Sequence, residues 1–467
     1  MRIEIAELTV HPAERALAGP AGTVSVEPLV MALLLALAER AGQLVPRRAL
    51  FEALWASPAV GDDNLNRLVA VLRRRLGDVG AESIEIATVP AQGYSLRLRP
   101  SAAQAPEATR AQALGQALDS WRLALPQPDP VAIALIERAA AAVPGDAALW
   151  GWLAMLYRHA AEYAAPTEAD DHVLACERAS GQALAIDSGQ VEAATALVSV
   201  APLYGRWSDS ARRLGVLCDA NPAHPVPHND LAVLEMATGQ VRAAIERRRP
   251  LIARDPLAAL HGYKTVYQNW SFGDLTTMDH AADAAVQLHP RHPAAWLARF
   301  WTFAFTARAA AALAMLDGPV RPAFAPPMLA YLRDAVGAAI EPGDDGRERA
   351  VERARAFAAA GPSPAIQAMF GLSLLGRIDD LFAVAWAYYL RDGDRPVPLQ
   401  VAGEQPRLNE QHGRLTQILF TPVFAGVRDD PRFGDLCERI GLSDYWDEAG
   451  VTPDYLARRG AGPSPAP

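Results

Sequence analysis

Over the first hundred residues the apolar pattern changes period twice. Met1 to Val26 alternates apolar and polar positions and is punctuated by Pro12, Gly19 and Gly22, which predicts a small antiparallel sheet. Three stretches at helical spacing follow: Glu27 to Ala41, Pro46 to Trp55 and Asp63 to Leu76. Pro46 stands where a first turn tolerates a missing N–H, and Asp62 and Asp63 suit the start of the third helix. Ser83 to Leu98 returns to a two-residue period around a turn at Pro90 to Gly93, so two strands are expected. On the third helix Leu65, Leu68 or Val69, Leu72 and Leu76 share one face and must look into a core. The opposite face carries Asn64, Arg67, Ala70, Val71 and Arg74.

Pro100 to Pro106 reads as a linker, and from Glu107 almost everything has helical spacing. The helix terminators Ser188, Pro222, Pro256 and Pro290 are 34 residues apart, and Gly205, Gly239 and Gly273 recur with the same step. Glycine turns the chain between two helices and proline ends the second. This pattern resembles the tetratricopeptide repeat, whose stacked helix pairs share a continuous core. An earlier unit carries Trp150, Leu153, Ala154 and Tyr157, similar to that family's first-helix signature. It holds about ten extra residues near Tyr163 to Asp171 against the 34-residue period. After Pro290 the frame loosens, with Ala307 where glycine is expected, and a last pair is suggested by Pro364 to Leu375, Gly376 and Ile378 to Leu390. The expected fold is mainly α: an N-terminal winged helix-turn-helix of α+β type, then an α-solenoid. The expected divisions are 1–99, a linker 100–106, repeats 107–419, a capping segment 420–456 and a disordered tail 457–467.

Composition sharpens this picture. The chain of 467 residues has 94 alanines, which suits close helix packing and excludes an all-β protein. Its three cysteines are scattered, which excludes a disulfide framework and the usual zinc spacings and fits a reducing compartment. No signal peptide is expected, and no uncharged apolar run is long enough to span a bilayer. Net charge is −9, yet residues 1–100 hold 11 basic and 11 acidic side chains, so the whole excess lies beyond them.

Glu27-Pro28, Leu50 with Leu54-Trp55, Leu72 to Asp78 (LRRRLGD) and Thr88-Val89-Pro90 with Gly93-Tyr94 resemble the OmpR/PhoB-type winged-helix DNA-binding family across residues 1–99. The resemblance implies that the third helix lies in the major groove and the strand pair after it forms the wing. Arg67 and Arg74 then suit guanine edges, Asn64 or Asn66 adenine, and Ala70 or Val71 a thymine methyl. Arg47 and Arg48 at the start of the second helix and Gln92 in the wing complete the candidate DNA-facing set. The chain opens directly on this module, so neither a receiver domain nor a membrane anchor is expected. A neutral module has weak phosphate attraction, which a homodimer on tandem half-sites would offset.

The repeat frame places Asn229, Asp230, Tyr263, Lys264, Tyr267, Trp270 and Trp301 on the inner faces of first helices, and Lys264 is the sole lysine. They suit a groove for an acidic or C-terminal peptide or a small effector, or else packing between adjacent helices. Residues 420–456 are similar to the terminal segment of repeat-containing winged-helix regulators. No catalytic, metal-ligating or cofactor motif is present, so no enzyme is expected. Two functions remain open: a cytoplasmic regulator that binds promoter DNA and senses a protein or small molecule, or an interaction scaffold whose winged helix no longer binds DNA.

Overall fold

The computed structural model describes residues 2–55, 62–89, 92–98, 105–164, 166–340, 343–390 and 416–460. They divide into two units, 1–111 and 112–467. In the first, strands β1 (Ile3–Ile5), β2 (Leu8–His11), β3 (Ala16–Gly19) and β4 (Gly22–Ser25) form an antiparallel meander in chain order. Helices α1 (Pro28–Ala38), α2 (Arg47–Leu54) and α3 (Asp62–Asp78) follow, with β5 (Val45–Pro46) just before α2. Strands β6 (Ile84–Val89) and β7 (Gly93–Leu98) make the wing, and β7 lies between β5 and β6. The core predicted for α3 is present: Leu65, Leu68, Val69, Leu72 and Leu76 are buried with Leu33, Leu37 and Leu50. Gly93 is required here, since a Cβ would run into the Val45 carbonyl. The capping side chains of Asp62 and Asp63 lie outside the described residues, as do 90 and 91 of the wing turn.

The second unit consists of helix pairs packed in chain order. After α4 (Ala105–Leu123) and α5 (Pro130–Ala142) come α6 (Ala147–Tyr163) and α7 (Pro166–Ile186), then α8 (Val191–Val200) and α9 (Trp207–Ala220). Next are α10 (Pro225–Ala237), α11 (Val241–Arg254), α12 (Ala259–Phe272), α13 (Leu275–Leu288), α14 (Pro293–Phe305) and α15 (Ala309–Asp317). The final pairs are α16 (Pro326–Ile340) with α17 (Asp344–Ala358) and α18 (Pro362–Leu374) with α19 (Ile378–Leu390). The starts of α8, α10, α12 and α14, and those of α9, α11, α13 and α15, each step by 34 residues. The extra residues after Tyr157 are taken up largely as helix, because α6 has 17 residues and α7 has 21. The linker reading is corrected at its end: α4 already begins at Ala105, whereas 99–104 are outside the described residues.

The period persists where the glycine is lost. Gly205, Gly239 and Gly273 adopt φ of 68°, 83° and 85°, and Ala307 adopts 58° in the same place. The left-handed conformation costs an L-residue about 1–2 kcal/mol. Ala307→Gly is therefore expected to stabilise the array by up to about 1 kcal/mol, part of the gain being lost to glycine's unfolded-state entropy. A urea midpoint that falls would contradict this.

The C-terminal block does more than cover the last helix. Its 3-10 turns (Thr416–Phe420 and Pro422–Val427) and helices α20 (Pro431–Arg439), α21 (Leu442–Ala449) and α22 (Asp454–Gly460) pack against α19 and also return to α9 and α10. Trp207 Nε1 donates to the Ile440 carbonyl at 2.8 Å, Trp446 Nε1 to the Thr238 carbonyl at 2.9 Å and Gln240 Nε2 to Tyr445 Oη at 2.9 Å. Gly239 is packed so closely that a Cβ would sit 2.8 Å from Phe420 and Pro453. The array is thus closed on itself. Residues 457–460, expected in a disordered tail, belong to α22, and 461–467 lie outside the described residues.

Candidate functional site

Two places carry the chemistry anticipated from sequence, one in each unit. In the first unit the outer face of α3 presents Asn64, Asn66, Arg67, Ala70 and Arg74 to solvent. Val71 departs from that set, being half-buried against the core. Arg67 and Arg74 make no hydrogen bond or ion pair among the described residues, so their guanidinium groups are available as donors.

Other members of the set are engaged internally. Arg47 Nη2 donates to Asn66 Oδ1 at 2.9 Å, and Tyr94 Oη donates to the same oxygen at 2.6 Å. The Arg47 backbone N–H donates to the exposed Gln92 carbonyl at 3.0 Å, which fixes the wing turn against the start of α2. Arg73 reaches from α3 to the wing, donating to the Ile86 carbonyl and, at 2.8 Å, to Thr88 Oγ1. Arg48 is exposed and paired with Glu52 at 2.9 Å. Arg47, Asn66 and Arg73 therefore set the angle between helix and wing, a role for Arg73 that the spacing alone did not indicate.

In the second unit the inner faces of α6, α10, α12, α14 and α18 surround a cavity of about 640 Å³. Asn229, Asp230, Tyr263, Lys264 and Tyr267 all line it. Trp301 does not. It is fully buried, its Nε1 donating to Gln367 Oε1 at 2.6 Å and its ring stacked on Phe370 at 5.1 Å. The frame placed it on an inner face correctly, but α18 packs over that position and makes it core. The last turn of α4, with Ser120 and Trp121, forms one edge, and Gln417 and Ile418 form another. Arg122 fixes that turn through Asp255 at 2.6 Å, and His292 Nε2 meets the Leu123 carbonyl at 2.7 Å.

The polar end of the cavity contains charges that sequence reading did not identify. Arg158 pairs with Glu162 at 3.0 Å. Arg248, buried on α11, donates to Asn229 Oδ1 at 3.0 Å and to Gln268 Oε1 at 3.2 Å. Burial lowers its pKa only to about 10, so it stays charged. Burial, with Arg248 adjacent, lowers His261 to about 3 and keeps that ring neutral beside Arg248. Lys264 Nζ lies 3.5 Å from Asn229 Oδ1, and burial followed by repulsion from Arg248 lowers its pKa to about 7.

This lysine gives a signed pH prediction. Its pKa falls from the ordinary 10.5 to about 7 on folding, so between those values the unfolded chain binds more protons. Stability contributed at this site therefore rises with pH. Wild type should gain on Lys264→Met as pH rises from about 7 towards 10.5, read as a wild-type urea midpoint that rises relative to the variant's. A difference that does not change with pH would mean the amine is fully solvated.

Together these features define a winged helix with an exposed arginine-bearing helix, joined in sequence to a closed helical-repeat array around a cavity. Residues 22–96 match the family described as "Transcriptional regulatory protein, C terminal", which covers the chain from β4 into β7. Among solved structures the chain is similar to "Crystal Structure of the Yeast Tom70", at 10% identity over 87% of this chain and 83% of that one. The TM-score is 0.36. No curated protein matches. No described helix is long and apolar enough to cross a membrane.

Proposed function

We propose that this protein is a cytoplasmic transcriptional regulator rather than an enzyme, with promoter DNA bound by the first unit and a signal received by the second. The observation that carries the DNA reading is the family match over 22–96, on a domain whose α3 offers Arg67 and Arg74 to solvent without partners among the described residues. Arginine pairs bidentately with guanine O6 and N7, which makes such residues readers of sequence. The sensing reading is supported by the cavity and by chain order, since β7 ends at Leu98 and α4, six residues on, ends at the cavity. Occupancy that moves the last turn of α4 acts on the segment leading to the winged helix.

The test is selection of bound fragments from the source genome, followed by binding to the recovered sequence across a salt series. Sequence-selective binding that weakens with salt supports the proposal. Absence of binding at low salt favours the interaction scaffold, a reading to which the equal numbers of acidic and basic residues in 1–100 lend support.

A further inference from the structure

Inside the cavity two cations face one neutral oxygen. Arg248 Nη1 and Lys264 Nζ both approach Asn229 Oδ1, at 3.0 and 3.5 Å, and neither has a carboxylate partner among the described residues. The carboxylates that line the cavity are occupied: Asp230 accepts from Ser199 Oγ at 2.5 Å and from Asn229 Nδ2 at 2.9 Å, while Glu162 holds Arg158. Arg248 Nη2 is buried with no hydrogen-bond partner at all among those residues. A buried charged donor left without an acceptor carries an uncompensated desolvation cost that a bound oxyanion would remove. The lining also includes the apolar side chains of Trp121, Leu297, Phe324, Met328 and Phe370.

We propose that the cavity binds a small organic oxyanion, a carboxylate or phosphate ester on an apolar or aromatic body, with its charged end between Arg248 and Lys264. This rests on the reading of the array as the sensing unit. The volume of about 640 Å³ lies within the roughly 300–1,000 Å³ of small-molecule sites, and the walls at Trp121 and Ile418 bound it. A bound anion completes the Arg248 donor set and favours the charged form of Lys264, so binding above neutral pH takes up a proton. The groups facing Lys264 are Arg248 on α11, Asp230 on α10, Arg158 and Glu162 on α6, and Tyr263 and His261 on its own helix.

Calorimetry on the full chain with 3-phenylpropanoate, phenyl phosphate and the neutral 3-phenylpropanamide tests this, in two buffers of different ionisation enthalpy. At least one anion should bind about tenfold or more tightly than the amide, with net proton uptake, and the preferred anion tells carboxylate from phosphate ester. Lys264→Met should remove the uptake and most of the anion preference while retaining the far-UV spectrum and a cooperative thermal transition. Lys264→Arg should restore the preference without the uptake. Amide binding equal to both anions, or neither anion binding at millimolar concentration, overturns the assignment. DNA occupancy measured in parallel separates the two claims. A neutral compound that fills the cavity and changes occupancy keeps the sensing reading and removes the anion, whereas a bound anion without effect on DNA does the reverse.

Discussion

With Arg67 and Arg74 both changed to alanine, sequence-specific DNA binding is expected to fall at least about thirtyfold, with no change in the unfolding midpoint of the winged helix. A bidentate arginine–guanine contact contributes about 1–3 kcal/mol of discrimination, and two arginines on separate base pairs would add. Neither side chain holds another described residue of the domain, so their removal leaves the core of α3 intact. Gel-shift titration against specific and scrambled fragments checks the result. If both arginines contact phosphate instead, the two fragments weaken equally and the salt slope drops by about one per arginine. Unchanged affinity for both fragments would remove α3 from the interface altogether.

Trp301→Ala is expected to destabilise the array by roughly 3–5 kcal/mol, the range for emptying a buried aromatic site. The indole is stacked on Phe370 and Phe300 packs edge-on against it at 5.1 Å, so several rings lose contact together. Gln367 also loses the donor to its Oε1, leaving a buried acceptor unpaired. Tyr263→Phe provides the contrast, because Tyr263 lines the cavity and its ring contact with His292 survives the change. Chemical denaturation of both variants decides the matter. A loss at Trp301 no greater than that at Tyr263 would return Trp301 to the cavity wall.

Much of this was legible in the residues, and what was not has identifiable causes. Period and punctuation located the helices and the wing of the first unit, because its α3 core and its wing rely on local spacing. They did not locate β5, which pairs with β7 across the chain and whose Pro46 reads locally as the start of the second helix. The 34-residue frame located the repeat helices and brought Asn229, Asp230, Tyr263, Lys264 and Tyr267 to the cavity. Trp270 and Trp301, placed on inner faces by the same frame, are buried in the core. Trp301 was misplaced because burial there depends on α18, more than sixty residues away, and no local pattern encodes that. Arg248 was missed because it sits in the run Arg247-Arg248-Arg249, which resembles a solvated face. A signal was nevertheless present. In the repeat frame Arg248 stands where the neighbouring units have Leu214 and Ala282, both buried, so a cation at that position is out of place. In the same frame Lys264 is the counterpart of Asp230 one repeat earlier, so two opposite charges adjoin on neighbouring inner faces.

The return of the C-terminal block to α9 and α10 changes how the array must come together. An open stack of repeats makes only neighbour contacts, can nucleate anywhere and tolerates shortening unit by unit. Here Trp207 bonds to Ile440 and Thr238 to Trp446, pairs separated by 233 and 208 positions in the chain. Such contacts raise the contact order and require nearly the whole second unit to be synthesised before the middle repeats are complete. Shortening the chain from its C-terminal end therefore strips the middle of the array rather than its edge.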